Sequence, residues 1–124
     1  MIVAIAQIGR APAFATWSAA FAEHPKVRTY LACDGATAVA SGLLFLSGRW
    51  AWLGFAGTLA SHQGDGAQSA LLRRRLADGT AAGATRFVVE AVPPAPESWQ
   101  DNPSYRNILR AGFMLVYARA NYLI

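Results

Sequence analysis

A glycine-rich stretch near the middle of the chain constrains its fold more than any other feature. Residues 62–72 read His-Gln-Gly-Asp-Gly-Ala-Gln-Ser-Ala-Leu-Leu, between an apolar, strand-like run at Trp50–Leu59 and a helical pattern at Ser69–Ala82. A turn of this kind leaves backbone N–H groups unpaired at the positive end of the helix dipole. Glycine also lets a ligand approach the backbone closely, because it has no Cβ. The stretch therefore predicts an anion site suited to a phosphate or diphosphate.

The size and composition of the chain predict one folded domain, residues 1–124. Hydrophobic residues make up 54% of the 124 positions and charged residues 15%, which excludes a disordered chain. No apolar run has the length of a membrane span, and Met1–Ile8 lacks the basic start and cleavage site of a signal peptide. The single cysteine, Cys33, fits a reducing cytoplasm. We expect Cys33 to be a small buried strand residue rather than an acyl-accepting nucleophile.

The net charge of +4 raises the question of a nucleic-acid partner, because basic surfaces attract polyanions. The one dense basic run, Arg73–Arg75, falls within the predicted helix, where its three side chains point in different directions. We therefore expect these arginines to be solvated, and not to form a continuous basic surface that contacts a nucleic-acid groove. Aromatic residues are not interleaved with basic ones as in single-strand binders. No nucleic acid, membrane or metal is expected as a partner.

The order of the predicted elements is that of a mixed α/β (α+β) domain with a mostly antiparallel sheet. Asp34-Gly35 and Ser47-Gly48 are typical of hairpin turns, and Gly83 and Gly112 of helix ends. The predicted elements in chain order are a helix at Ala13–Glu23, strands at Thr29–Cys33, Thr37–Leu46 and Trp50–Leu59, a helix at Ser69–Ala82, a strand at Arg86–Val92, a helix at Ser104–Ala111 begun by Asn102 or Ser104, and a strand at Phe113–Tyr117.

Two motifs in this order give the chain, from about Thr29 onward, a resemblance to the GNAT superfamily of acyl-CoA-dependent N-acetyltransferases. Residues 63–68, Gln-Gly-Asp-Gly-Ala-Gln, are similar to the family's pyrophosphate motif Gln/Arg-x-x-Gly-x-Gly/Ala. Residues 104–113, Ser-Tyr-Arg-Asn-Ile-Leu-Arg-Ala-Gly-Phe, are similar to its Ala/Ser-x-x-Leu-Tyr-x-Lys-x-Gly-Phe segment. The resemblance implies a GNAT-like sheet with helices on both faces.

The resemblance also implies a position for acetyl-CoA between the strands at Trp50–Leu59 and Arg86–Val92. The pantetheine arm would pair with the backbone as an added strand does, and N–H groups near residues 58–60 would polarise the thioester carbonyl. The implied contacts are Gly57, Thr58 and Leu59 for the pantetheine, Gln63, Gly64, Asp65, Gly66, Ala67, Gln68 and Ser69 for the pyrophosphate, and Asn102, Ser104 and Asn107 on the far side of the arm.

The chain departs from the family pattern in the pyrophosphate turn. Gln68 stands where the family prefers Gly or Ala, and its side chain is tolerated if it points away from the ligand. Asp65 stands where many relatives carry a basic residue, and a carboxylate there opposes the charge of the ligand. We expect Asp65 to face solvent.

The residue that protonates the leaving thiolate is not the family's tyrosine, because that position holds Ile108. Ser104, one helical turn earlier, lies on the same face and is a candidate for contact with the sulfur; a helix cap is an equal alternative for it. Tyr105 is another candidate acid, although helical spacing directs it elsewhere.

A base must also remove a proton from the amine, since only a neutral amine attacks a thioester. The strand at Trp50–Leu59 lacks the carboxylate that many relatives place there. Glu90 is the best remaining candidate and His62 the next. The alternatives are a solvated strand-end charge for Glu90, a simple turn residue for His62, and proton transfer through ordered water.

The leading hypothesis is therefore an N-acetyltransferase that moves the acetyl group of acetyl-CoA directly to an amine of an unidentified acceptor. Residues before Thr29 suffice for one strand and one helix, so the acceptor side is abbreviated relative to the family. The alternative is a non-catalytic acyl-CoA-binding or assembly domain of the same fold. Apolar residues near the C-terminus, including Tyr117 and Leu123, would suit a homodimer interface under either hypothesis.

Overall fold

Four strands form one mixed sheet in the computed structural model of the chain, which describes residue 20 and residues 23–90 and 101–117. The strands follow one another in chain order across the sheet. The pairs β1–β2 and β2–β3 are antiparallel, whereas β3 and β4 are parallel. The bounds are Val27–Asp34 for β1, Thr37–Ser47 for β2, Trp50–Thr58 for β3 and Arg86–Val89 for β4. The mixed, mostly antiparallel sheet expected from the sequence is confirmed.

Both predicted hairpins form, with their loops one residue later than the dipeptides that predict them. Asp34 pairs with Thr37 and Ser47 with Trp50, so each loop has two residues, 35–36 and 48–49. The glycines at 35 and 48 have φ of 60° and 59°. A two-residue hairpin loop requires such left-handed backbone, which glycine adopts without strain.

Two helices follow the meander of β1–β3. Helix α1, Ala67–Ala81, connects β3 to the parallel strand β4, and a short 3-10 helix, Ala60–His62, precedes it. Helix α2 is Pro103–Arg110. Of the two predicted starting residues Asn102 is the cap, because its Oδ1 accepts a hydrogen bond from the backbone N–H of Tyr105 at 3.2 Å.

The core lies between helix α1 and the sheet, and α2 completes it through one buried side chain. Gly79 in α1 has a packing role: a Cβ there would stand 2.7 Å from Phe87, so the interior glycine allows β4 to lie close to the helix. This close packing explains a residue that is unfavourable in a helix by about 1 kcal/mol. The buried core cluster is Leu44, Ala51, Leu53, Leu72, Ala84 and Ile108.

A bulge in β3 separates the two parallel strands. The pairing steps from Ser41–Gly57 to Leu43–Gly54, so β3 carries one residue more than β2 at this point. Phe55, within the bulge, has φ of 47°, a left-handed backbone that is unusual for a bulky residue. Strand β4 pairs with β3 only over residues 50–53, before the bulge. Beyond Leu53, the edge of β3 that faces away from β2 is left without β4.

Three expectations about the strands and their residues are wrong in the described part of the chain. Residues 113–117 form no strand there, because apolar composition alone does not supply a neighbouring strand with which to pair. Strand β4 ends at Val89 and does not include Glu90, because its pairing with β3 stops at Leu53; positions 91 and 92 of the predicted strand lie outside the described residues. Cys33 is exposed rather than buried, since it follows a register shift near the end of the edge strand β1. The predicted Met1–Ile8 strand, and nearly all of the predicted Ala13–Glu23 helix, lie outside the described residues.

Candidate functional site

A cleft of about 720 Å³ lies where β3, the 63–66 turn and the two helices meet. Among the described residues that line it there is no Asp or Glu, whereas three arginines and one histidine are present. The cleft therefore presents a positive surface, which suits an anionic ligand. The lining residues are Ser41, Ala56, Gly57, Thr58, His62, Gln63, Gly64, Gly66, Ala67, Gln68, Ser69, Leu71, Arg75, Asn102, Pro103, Ser104, Arg106, Asn107 and Arg110.

The turn before α1 presents a row of unused backbone donors. Gly64 and Gly66 have φ of 86° and 84°, and Gly66 is the residue that precedes the helix. No side chain caps this end of α1, and within the described parts of the chain the N–H groups of residues 64–69 have no backbone acceptor. These donors point to an anion as their partner, because a helix start without a cap otherwise relies on solvent. Asp65 is exposed, as expected.

The side chain of Gln68 does not occupy the turn but joins the two helices. Its Nε2 donates to Ser104 Oγ at 2.7 Å, and its Oε1 accepts from Asn107 Nδ2 at 3.0 Å. This is how the turn accommodates a residue larger than the family's Gly or Ala. The cap interpretation of Ser104 is wrong, since Asn102 holds that position and Ser104 bonds to Gln68 instead.

The edge of β3 after the bulge forms one wall of the cleft. Gly57 and Thr58 line it, as predicted for the pantetheine arm. Leu59 does not line it, and its N–H donates to the carbonyl of Val39 at 2.8 Å. The expectation that Leu59 offers its N–H to a ligand is therefore wrong: the chain continues its pairing with β2 through this residue.

The structure gathers most of the predicted contact residues in one place. Of the thirteen predicted cofactor contacts, only Leu59 and Asp65 are not among the residues that line the cleft. The others lie on three separate elements, β3, the start of α1 and the start of α2, which are distant in sequence. Whether they bind acetyl-CoA remains a prediction.

The candidate acids are separated by the structure. Ser104 lines the cleft, whereas Tyr105, one residue later in α2, does not. Ile108, at the position of the family's tyrosine, is buried in the core with 7% of its surface exposed. The face of α2 that carries Ile108 is thus used for packing, and Ser104 is the predicted acid that reaches the cleft.

The two candidate bases also differ in position. Glu90 is exposed beyond the end of β4 and does not line the cleft. His62 does line it, and both its ring nitrogens are engaged: Nε2 lies 3.0 Å from Asp34 Oδ2 and Nδ1 lies 2.8 Å from Ser61 Oγ. A carboxylate on one nitrogen fixes the ring and favours a lone pair on the other. Of the two candidate bases, His62 is therefore the one that reaches the cleft, and its role as a base stays a prediction.

Arg75 is a residue of the cleft that the sequence analysis misses. It was expected to be solvated together with Arg73 and Arg74, but only 1% of its surface is exposed. Its Nε donates to the carbonyl of Leu71 at 3.2 Å and its Nη1 to that of Leu43 at 3.0 Å. Burial lowers the pKa of Arg75 to about 10, so it remains protonated at neutral pH.

The sequence does contain a signal for this burial. Residue 75 lies one turn after Leu71 and one before Gly79, on the face that α1 turns to the sheet. Gly42 in β2 makes the space, since a Cβ there would stand 2.8 Å from the guanidinium carbon. An interior strand glycine opposite a helical arginine is thus the pattern that identifies such a site.

None of the described helices is both long and apolar enough to cross a membrane. Nor do the described residues bring together three or more His, Cys, Asp or Glu side chains that could hold a metal ion.

Solved acetyltransferases share the architecture of this chain. An aminoglycoside 6′-N-acetyltransferase from Acinetobacter haemolyticus matches with a TM-score of 0.66 and 14% identity, over 90% of this chain and 79% of the other. An aminoglycoside N-acetyltransferase solved in complex with CoA matches with a TM-score of 0.67 and 12% identity, over 90% and 86% of the two chains. A transcriptional regulator from Bacillus halodurans matches with a TM-score of 0.72 and 13% identity, over 90% and 75%.

A scan against protein-family models and a sequence search of curated proteins find no match. The structural likeness, at identities of 12 to 14%, concerns the fold. The chain has the fold of the GNAT acetyltransferases, as its two motifs indicate.

Proposed function

We propose that the chain is an N-acyltransferase that uses acetyl-CoA, or a related acyl-CoA, as a substrate. The observation that carries the proposal is the row of N–H groups at residues 64–69, which have no backbone acceptor in the part of the chain that the structure describes and which open on a cleft rich in arginine. A diphosphate satisfies such donors and the helix dipole together. The acetyltransferase fold of the chain supports the same class of substrate.

The bulged edge of β3 supplies the second part of the proposed site. With β4 paired only as far as Leu53, a peptide-like arm can lie against β3 near Gly57 and Thr58 as an added strand. The two amides of a pantetheine arm suit that edge. The thioester would then lie between β3 and the start of α2, within reach of Ser104.

The proposed reaction is direct transfer to an amine. The amine nitrogen attacks the thioester carbonyl carbon, the carbon–sulfur bond breaks, and CoA leaves as a thiolate, which is neutralised by the proton that the amine has lost. His62 accepts the proton of the amine, because it is the one described side chain lining the cleft that carries an imidazole nitrogen able to act as a base. Ser104 stabilises the departing thiolate by donating a hydrogen bond to it and keeps its own proton, since its hydroxyl oxygen already accepts a bond from Gln68 and the hydroxyl hydrogen is free for another acceptor.

A non-catalytic acyl-CoA-binding domain is the second candidate, and two observations favour it. The position of the family's tyrosine is filled by Ile108 and buried in the core. No described carboxylate lines the cleft to act as a base. An assay of thiol release from acetyl-CoA with a panel of amines separates the two candidates, because only the enzyme liberates CoA.

Titration calorimetry with acetyl-CoA tests the binding common to both candidates. The variant is Gly66→Ala, and the matched control is Gly35→Ala in the β1–β2 hairpin. Both glycines have positive φ and open space around a new Cβ, so each change strains the backbone by about 1–2 kcal/mol. We expect Gly66→Ala alone to weaken binding, by about tenfold, or roughly 1.4 kcal/mol. No binding by the wild type, or equal affinities for both variants, would contradict the proposed site.

A further inference from the structure

The guanidinium of Arg75 is a buried charge without a counterion in the described chain. It has five N–H donors, and among the described residues two of them find acceptors, both backbone carbonyl oxygens. No described Asp or Glu forms an ion pair with it, although Arg74, its neighbour, pairs with Asp78. A charge withdrawn from water is unfavourable unless an opposite charge compensates it. Arg75 therefore has both the unused donors and the need for an anion.

Arg75 lines the cleft, so an anion that binds to it would lie inside the cleft. Arg75 and Leu71, one turn apart on α1, both line it, on the side where α1 faces β2. The diphosphate turn lies at the start of the same helix. From Ser69 to Arg75 is six residues, or about 9 Å along the helix axis. One ligand can therefore occupy the turn while another charged group reaches Arg75.

The shape of the Arg75 guanidinium favours a carboxylate as the anion that it binds. A guanidinium offers parallel N–H donors in a plane, which match the two oxygens of a carboxylate. The bound backbone carbonyls of Leu71 and Leu43 fix that plane at two points, and Gly42 gives it room. Fixed, partly unused donors in a buried place discriminate strongly between a charged oxygen and a methyl group of the same size.

We infer that Arg75 binds a carboxylate carried by one of the two substrates of the transfer reaction. This rests on the proposed function, because it assigns the inner end of the same cleft. The carboxylate has two sources: the far end of a dicarboxylic acyl group on CoA, or the α-carboxylate of an amino-acid acceptor. The chemistry that Arg75 recognises is the same in both.

Calorimetry with a series of thioesters tests the first source. Free CoA, butyryl-CoA and succinyl-CoA share the diphosphate, and the last two differ chiefly in a methyl group replaced by a carboxylate. We expect the wild type to bind succinyl-CoA at least about tenfold more tightly than butyryl-CoA. The second source is tested by thiol release with acetyl-CoA, where phenylalanine should have a KM about tenfold below that of phenethylamine.

Three variants assign the preference to Arg75. Arg75→Gln should remove it, and Gly42→Ala should reduce it by displacing the guanidinium while keeping the charge. Arg74→Gln, which removes an exposed arginine one residue away, should leave it unchanged. If Arg75→Gln does not fold, the ligand series measured on the wild type and on Gly42→Ala still shows whether Arg75 recognises the carboxylate.

The outcomes separate this inference from the proposed function. Binding of free CoA without a carboxylate preference in either arm overturns the role of Arg75 and leaves the acyl-CoA site standing. Failure of free CoA to bind overturns both. A preference that survives Arg75→Gln also overturns the inference, because another group then recognises the carboxylate.

Discussion

Gln68 and Ser104 connect the two described helices through a hydrogen bond of 2.7 Å from the side-chain amide to the hydroxyl oxygen. Asn107 donates to the other end of the same amide, which fixes its orientation. One of the two residues that depart from the family's motif thus joins the two helices that form walls of the cleft. Both bonds are partly buried, so they contribute to stability as well as to geometry.

Replacing Gln68 should therefore separate stability from binding. Gln68→Ala loses two hydrogen bonds and should lower the free energy of unfolding by about 1–2 kcal/mol in urea titrations. Gln68→Glu retains acceptors for Asn107 and Ser104 and should lose less stability. It should nevertheless weaken acetyl-CoA binding more than Gln68→Ala, since a carboxylate beside the diphosphate repels it. Equal binding by the two variants would show that no anion lies beside residue 68.

Ser104 and Tyr105, the two residues of α2 that are candidates for contact with the leaving sulfur, should differ in their effect on turnover. Ser104→Ala should lower kcat for thiol release by about tenfold or more, because the departing sulfur loses a hydrogen-bond donor. Tyr105→Phe should leave kcat unchanged, since Tyr105 does not line the cleft. Calorimetry on the same variants distinguishes a chemical from a binding defect. A larger effect at Tyr105 than at Ser104 would reverse the assignment.

His62 should be the base and Asp34 its positioning residue. His62→Gln should lower kcat/KM by about a hundredfold or more, the lower range for loss of a general base. Asp34→Asn should have a smaller effect, because an amide oxygen in place of the carboxylate 3.0 Å from Nε2 can still accept from the ring but holds it less strongly. The matched control is Glu90→Gln, at the alternative base, which should retain full activity. Loss of activity in Glu90→Gln with none in His62→Gln would restore the first-ranked sequence candidate.

The elements of the sheet could be predicted because their signals are local. Asp34-Gly35 and Ser47-Gly48 specify tight turns, and between them the strands can pair in only one way. The strand expected at residues 113–117 fails for the opposite reason. Residues such as Val116 and Tyr117 suit a strand, but a strand needs a partner whose edge is free at the right place, and both side chains are exposed. That information is not local.

The residues of the candidate site also differ in whether local sequence signals are enough to predict them. Gly64 and Gly66 could be predicted because a strand-to-helix turn with two left-handed residues has a recognisable spacing. Arg75 could not be assigned from its own neighbours, since three consecutive arginines appear equally solvated. Its burial depends on Gly42, 33 positions earlier, which comes opposite only after the sheet and α1 pack. Side chains whose environment is set by a distant residue are those that helical spacing alone misplaces.

Tyr30 links β1 to α1, and this contact should make the free energy of unfolding depend on pH in the acid range. Its hydroxyl donates to Asp78 Oδ2 at 2.8 Å, and Arg74 Nε donates to the same oxygen at 3.1 Å. The hydrogen bond from Tyr30, followed by that from Arg74, lowers the pKa of Asp78 below its ordinary value of 3.8. Burial, followed by the bond to Asp78, raises the pKa of Tyr30 above 10.0.

The sign of the acid effect follows from the lowered pKa of Asp78. Above pH 4 the carboxylate is ionised in both the folded and the unfolded chain, so its full contribution is present. As the pH falls further, Asp78 takes up its proton first in the unfolded chain, which stabilises that state. The stability that Asp78 contributes to the folded chain is lost once the pH falls past its pKa in the folded state. Tyr30→Phe should therefore be less stable than the wild type near pH 6, and the two urea midpoints should converge as the pH falls below 3.8 and through the lowered pKa of Asp78.

The raised pKa of Tyr30 predicts a second loss at high pH. The contribution of the protonated phenol is complete below pH 10 and decreases above it, as the unfolded chain loses its proton first. The control is Tyr117→Phe, at an exposed tyrosine, whose midpoints should follow the wild type at every pH. A constant difference between Tyr30→Phe and the wild type from pH 2.5 to 6 would mean that the hydroxyl stabilises the fold by packing and not through the charge of Asp78.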